Sequence, residues 1–575
     1  SFSSEGKKGA TSSLGGGLLS SSFPLSSGRR GFASVATSPA VQASEEFQAA
    51  AAAAGFDKFE SMLTTGGDDR SLILEGVGTN KYHIKPQPID TGDIFRGSCT
   101  GNPPTERGYN AAKRLYQNQL STSNKNNELL PQSELDLTLR EIYSNQRTRL
   151  SNLLHLPPGA EIILVPSGSD AEYLPIAIAR AIQSEKSTKI VSGITQLREI
   201  GAGSAPASVG EWFSTHAPLL GVVGGDDDDD ETHSSSTHLD GFGDIDGKAI
   251  PAREPDGTTI DASLAMDEFL FNAQRNDAYP IVHGVFGGKT GLRDDVMPPS
   301  LDAGDTSLGV VDACQARFTT EELQGWLAQD SIVLFTGSKF YQAPPFCGAV
   351  ILPPTIVEKL RSCSRSVVSE EEEGGMFGGR GLGAFLTDKE LPSCLNGWKG
   401  SLRREDANNV GLALRWEAGL AGMEALVDVP EEQRNDAVRE WANAVSAMVN
   451  DTDTVLDAWC VERSIVSIRV ANTGDDGGWR SMSELRDLYR WMSMDVSDIV
   501  PNATEEEKVA LAQTAYIGQP VDVAETHAIV RIALGVESML GFVEDQERTL
   551  REDQLTVRKL AAIGRYFDTM KKSGL

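Results

Sequence analysis

The sequence predicts an α/β protein: a large domain with a mostly parallel sheet between helices, then a smaller α+β C-terminal domain. Three observations predict it. From 160 to 353, short apolar runs alternate with helical stretches, the pattern of strands crossing back through helices. The runs are nearly continuous rather than alternating, as in strands buried on both faces. Past about 405 the chain turns to longer helices and separate strands.

Taken in order, residues 1–45 are rich in Ser, Gly and Ala and carry Lys7, Lys8, Arg29 and Arg30 against one early acid, Glu5. That composition predicts a disordered organellar transit peptide. "RRGFAS" (29–34) resembles a mitochondrial processing site, so a mitochondrial address is expected, with plastid as the alternative. Residues 46–155 form an N-terminal helical and extended segment. It holds a helix over 46–65, an extended stretch over 75–105, and amphipathic helices over 106–121 and 133–154.

The large domain spans 156–404. Its expected strands are "AEIILVP" (160–166), "TKIVSG" (188–193), "AYPIVHGVF" (278–286), "SLGVVDAC" (307–314), "SIVLFTG" (331–337) and "FCGAVILP" (346–353). An acidic insertion at 224–241, with five consecutive aspartates, cannot bury surface and is expected to be disordered. A second flexible stretch is read at 369–383. The C-terminal domain, 405–575, has helices at 408–426, 431–450 and 482–492, strands at 464–472 and 527–535, and a last helix over 541–572.

Composition narrows the function. The 575 residues carry 82 Asp and Glu against 52 Lys and Arg, a formal charge of −30. Phosphate backbones would be repelled, so no nucleic-acid partner is expected. No run of about 18 apolar residues predicts a membrane span. The six cysteines form no CxxC pair, which argues against a zinc ribbon or disulfide framework and leaves reduced thiols.

Three short motifs carry chemistry. "VPSGSDAE" (165–172) lies between a buried strand and a helix, where backbone N–H groups of a helix start bind anions. Gly168 permits close approach, Ser169 adds a hydroxyl, and Asp170 or Ser169 would otherwise serve as a helix cap. "VVDACQARF" places Asp312 and Gln315 at the carboxyl end of a strand, where ligands sit in open α/β sheets. A buried Asp needs a cationic partner, such as a protonated ring nitrogen. "TGSK" puts Lys339 at the end of the next strand, with Thr336 and Ser338 offering hydroxyls to a phosphate. A desolvated lysine there is nucleophilic toward a carbonyl. Phosphate cradle, ring-nitrogen acid and carbonyl-seeking amine together describe pyridoxal 5′-phosphate.

On these residues the chain resembles the fold-type I pyridoxal-phosphate enzymes of the class V aminotransferase and cysteine desulfurase group. "DACQ" is similar to that group's D-x-x-Q, and "TGSK" to its S-x-H-K. The resemblance implies that Lys339 forms the internal aldimine, Asp312 pairs with the pyridine nitrogen and Gln315 meets the phenolic oxygen. It also implies that Ser338 stands at a phosphate-binding position and that "SGSDAE" is the phosphate turn. Lys289 and Thr290 in "HGVFGGKTG" are further candidates for the pocket. Arg531 in "IVRIALG" is the expected fork for a substrate α-carboxylate, with Arg469 as its rival, and "YIGQPV" (516–521) is expected to line the same pocket.

The expected substrate is an amino acid with its keto acid, and the expected reaction is transamination. Cysteine desulfuration or other lyase chemistry is the alternative, with Cys363 or Cys394 as the nucleophile and Cys314 and Cys347 in the sheet. A catalytically silent structural or regulatory homologue is the third. The resemblance further implies a homodimer, with "GGMFGGRG" (374–381) either a solvent loop or a segment reaching the partner's phosphate. No metal site is expected, and "RGSCTGNPPTERG" (96–108) reads as an entry loop.

Overall fold

A computed structural model describes residues 38–98, 101–122, 128–183, 189–223, 237–294, 306–363, 375–404, 406–472, 477–524 and 527–574. Most of the expected transit peptide (1–37), most of the acidic insertion (224–236), part of the 369–383 stretch and the Cys363 side chain lie outside them. The helix Pro39–Ala53 begins inside the expected transit peptide and buries Ala40 and Ala43. A second helix, Lys58–Thr64, follows a break at Gly55, whose φ is +89°.

The strands in chain order are β1 (Ile94–Arg96), β2 (Glu161–Val165), β3 (Lys189–Thr195), β4 (His216–Ala217), β5 (Gly221–Val222), β6 (Ile245–Ile250) and β7 (Ala278–Val285). There follow β8 (Leu308–Asp312), β9 (Ile332–Thr336), β10 (Gly348–Leu352), β11 (Leu456–Glu462), β12 (Ile465–Val470), β13 (Ala515–Ala524) and β14 (His527–Ala533).

Seven of them form the central sheet, in the order β2-β10-β9-β8-β7-β3-β6. All its pairings are parallel except those of β10, which runs antiparallel to β2 and β9. The expected α/β class therefore holds. Side chains alternate between two apolar cores: Ile162, Leu164, Val333 and Phe335 enter one, and Ile163, Val165, Ile332 and Leu334 the other. Period-two alternation with both faces covered explains why each strand reads as an unbroken apolar run. The edge strand β6 was not expected from the sequence. Its "IDGKAI" exposes Asp246 and leaves Lys248 and Ala249 near solvent, as an edge strand does.

Helix Ser263–Arg275 packs on β3 and β7 so closely that a Cβ on Gly193 would come within 2.7 Å of the Phe269 ring. Gly193→Ala is therefore expected to cost about 1–3 kcal/mol, measured by urea denaturation.

A second sheet has the order β1-β13-β14-β12-β11. Its outer strand β1 comes from the stretch read only as extended, and pairs in parallel with β13, Ile94 facing Ala515. Arg96 on β1 is buried against Asp553 of helix Gln546–Arg565, at 2.5 Å. The last expected helix is three pieces, Val536–Glu544, Gln546–Arg565 and Phe567–Lys572.

Among the described residues no helix is long and apolar enough to cross a membrane, and no cluster of His, Cys, Asp and Glu has the makings of a metal site.

Candidate active site

The carboxyl ends of β2, β8 and β9 lie at one end of the sheet, and the antiparallel β10 brings the β9–β10 connection to the same place. A cavity of about 470 Å³ opens there, a size suited to a small organic ligand. Gly168, Ser169, Asp312, Gln315, Thr336, Ser338, Lys339 and Arg531, from four separate segments, all line it. A larger cavity, about 700 Å³, lies near Phe318, Tyr341 and Arg434 and holds none of the expected site residues.

The cradle follows β2. Ser167 caps the turn Gly168–Ala171 by accepting the Asp170 N–H at 3.2 Å. The first N–H groups of a helix have no partner within it and point at whatever lies before it. A Cβ on Gly168 would meet the Cys314 sulfur at 2.8 Å, so only glycine fits there. Asp170 was expected at the cofactor, but it does not line the cavity. It is buried behind the cradle near Asp68 and Arg70, where burial and the Asp68 charge push its carboxyl up to about 7.

Asp312 ends β8 and is 6% exposed. It accepts a hydrogen bond from the Cys314 N–H at 3.0 Å. Burial raises its pKa, and His283 and Lys339 pull the other way. Beneath it His283, fully buried on β7, holds its Nδ1 2.9 Å from the Glu172 carboxylate. Gln315 is fixed by Arg317, whose Nη1 donates to the Gln315 carbonyl at 2.9 Å and to Oε1 at 3.1 Å.

Lys339 sits three residues past β9, with its ammonium 5.7 Å from the centre of the Phe346 ring. Its backbone is clamped by Asn102, whose Nδ2 donates to the carbonyls of Ser338 (2.7 Å) and Lys339 (2.9 Å). The entry loop thus has a positioning task that its sequence did not reveal. Asn102→Ala is expected to lower kcat/KM by about 10- to 100-fold, because small displacements of reacting groups are costly; steady-state kinetics with whichever amino acid turns over checks it. Ser338 Oγ is buried without a hydrogen-bond partner among the described residues. Thr336 departs from expectation: its hydroxyl donates to the Cys314 carbonyl at 2.7 Å and so has no proton left for a phosphate.

Arg531, on β14, is fully buried and donates to the Gln519 carbonyl (2.6 Å from Nη2) and the Lys289 carbonyl (3.1 Å from Nη1). Gln519, Pro520 and Val521 of the expected "YIGQPV" segment also line the cavity. The rival Arg469 does not line it. It is paired with Asp457 at 2.6 Å and stacked on Trp479 at 4.3 Å. Lys289 lines the cavity. Thr290 does not; it is buried and bonded to Glu199.

Arg70 was not among the residues that the sequence singles out. It lies in the turn Asp69–Ser71, locked by Asp68 and stacked over Phe346 at 4.4 Å and Phe213 at 5.3 Å. Its Nη2 donates to Ser167 Oγ at 3.2 Å, which brings a cation to the cradle. No spacing in "GGDDRSL" signals this, because the contact joins residues 97 apart.

The cysteines are also informative. Cys314, expected within the sheet, lines the cavity instead, and burial and Asp312 hold its thiol well above the ordinary pKa. Cys394 does not line the cavity, and burial and Glu161 push it up to about 11. The described part of "GGMFGGRG" folds back on its own chain: the Asp240 N–H donates to the Arg380 carbonyl, and Phe377 packs edge-on against Trp398.

No family model matches this chain, and no curated protein matches it. Among solved structures it is similar to a phosphoserine aminotransferase from Cytophaga hutchinsonii, at 14% identity and TM-score 0.43, covering 80% of this chain and 99% of that one. It is similar to the cysteine desulfurase CsdA of Escherichia coli, at 13% identity and TM-score 0.44, covering 80% and 96%. It is also similar to Oryza sativa TDC solved with PLP and tryptamine, at 13% identity and TM-score 0.44, covering 80% and 83%.

Proposed function

We propose that this protein is a pyridoxal-phosphate-dependent enzyme acting on an amino acid, and that its reaction is transamination. The observation that supports this most is the meeting of cradle, buried acid, amide and lysine in one cavity of suitable size. The residues fit the group. The helix start at Gly168 and Ser169, the unpartnered Ser338 hydroxyl and the Arg70 guanidinium suit a phosphate. Asp312 is buried and lacks the full cationic partner that a ring nitrogen would give it. Gln315 offers donors to a ring oxygen.

When bound, the cofactor supplies an electron sink for the substrate Cα. Lys339 would hold the cofactor through its amine and would then act as the base that moves the proton at the substrate Cα. Asp312 keeps the ring nitrogen protonated. Arg531 holds the α-carboxylate in place through the reaction, which favours transamination over loss of that group. Of the two cysteines expected as desulfurase nucleophiles, the described one, Cys394, does not line the cavity, which favours transamination.

The test is an absorbance spectrum of the purified protein with pyridoxal phosphate, then with a panel of amino acids. A visible band that bleaches with one amino acid, with release of its keto acid, supports transamination. Release of sulfide from cysteine selects desulfuration, and no band sinks the cofactor assignment. A mitochondrial address and a homodimeric state belong to the same proposal, tested by cell fractionation and light scattering.

A further inference from the structure

The charged groups around the cavity are ion-paired or have a role assigned above, with two basic exceptions. Arg70 is paired with Asp68, and Lys81 lies 3.9 Å from Asp69. Glu199 is engaged by Arg253 and by the N–H and hydroxyl of Thr290. Asp312 and Lys339 have the tasks given above. Arg531 and Lys289 remain, and neither has an acidic side chain within ion-pair distance among the described residues. They are neighbours on one wall, since Arg531 donates to the Lys289 carbonyl, and both line the cavity. The Lys289 ammonium has a backbone carbonyl, that of Arg198, at 3.4 Å. Burial and the adjacent Arg531 charge lower its pKa to about 8, so it is charged at neutral pH against a local cost.

Two adjacent cations in a cleft repel one another and draw anions. The guanidinium fork matches one planar carboxylate, and the ammonium is a separate point charge. An amino acid has one α-carboxylate, so the second cation is matched by an acidic side chain. We infer that Lys289 holds the side-chain carboxylate of a dicarboxylic amino acid or 2-oxo acid whose α-carboxylate rests on Arg531. This deepens the function proposed above and rests on it.

The test is calorimetric titration of the full-length protein, with pyridoxal phosphate added, using 2-oxoglutarate, glutarate and 2-oxobutyrate. The wild type is expected to bind the two dicarboxylates at least about tenfold more tightly than the monocarboxylate, a factor equal to about 1.4 kcal/mol. Lys289→Met is expected to remove that preference and leave 2-oxobutyrate affinity within about twofold. Equal affinity for all three in the wild type overturns the inference, because both cations would then clamp one carboxylate, as does a preference that survives Lys289→Met, which would mean that another group holds the second carboxylate. Should the variant not fold, Lys289→Gln serves, since it keeps a polar side chain of similar reach without the charge. Loss of the preference there supports the inference, and its persistence overturns it. Failure of the cofactor assignment is seen separately, as a missing absorbance band, because calorimetry reads the carboxylates directly.

Discussion

Lys339→Ala is expected to abolish the visible absorbance of the pyridoxal-phosphate-treated protein and to lower turnover by at least about 10³-fold. The factor is that of losing a positioned proton-transfer group, and loss of the covalent attachment adds to it. Stability is expected to change by less than about 1 kcal/mol, since the side chain lines a cavity rather than the core. The backbone around it is still held, because Asn102 bonds to carbonyls and not to the amine. The phosphate contacts persist in the variant, so it still takes up the cofactor, which equilibrium dialysis would detect. An unaltered absorbance band would show that the amine lies elsewhere, Lys81 and Lys289 being the other lysines on the cavity wall.

Arg415→Met is expected to be the most destabilising single change near the site, at about 3–5 kcal/mol by denaturant titration. Arg415 is fully buried in helix Val410–Ala425. Its guanidinium donates to four backbone carbonyls: Phe346 (2.7 Å), Leu63 (2.9 Å), Thr65 (2.6 Å) and Gly66 (3.1 Å). Burial lowers its pKa only to about 10, so the charge persists at neutral pH. Methionine fills the space but leaves those carbonyls without a donor, at about 1–3 kcal/mol for each group left unsatisfied, less what relaxation recovers. Cofactor affinity is expected to fall too, because Phe346 is the ring on which Arg70 stacks.

The sheet and its ligand end were legible for a physical reason. Strands buried on both faces must be apolar at every position, and the connections after β2, β8 and β9 break that rule with Gly168, Asp312 and Lys339. Spacing along the chain was enough to put Asp312 and Lys339 on neighbouring strands, and the register confirms it, with Asp312 facing Leu334. Contacts across long separations were not legible. Arg70, Asn102 and the pairing of β1 with β13 depend on residues hundreds of positions away or on turns without a signature. The direction of individual side chains was not legible either. Thr336 and Asp170 have the right chemistry at the right places in the sequence, but one spends its proton on a carbonyl and the other is buried behind the cradle. Arg469 and Arg531 looked alike as strand arginines, and only the partner across the strand, Asp457, separated them.

The pairing of β1 with β13 also governs when the site can exist during synthesis. At about 5–20 residues per second, the ribosome needs roughly 25 to 90 s to pass from Arg70 to Arg531. The central sheet, complete at Leu352, can form well before then. For the remaining time β1 has no strand to join, and the turn carrying Arg70 and the loop carrying Asn102 are tethered on either side of it. A nascent chain halted short of Ala515 is therefore expected to display a formed sheet with an open end. Release of the C-terminal residues is the event that closes it.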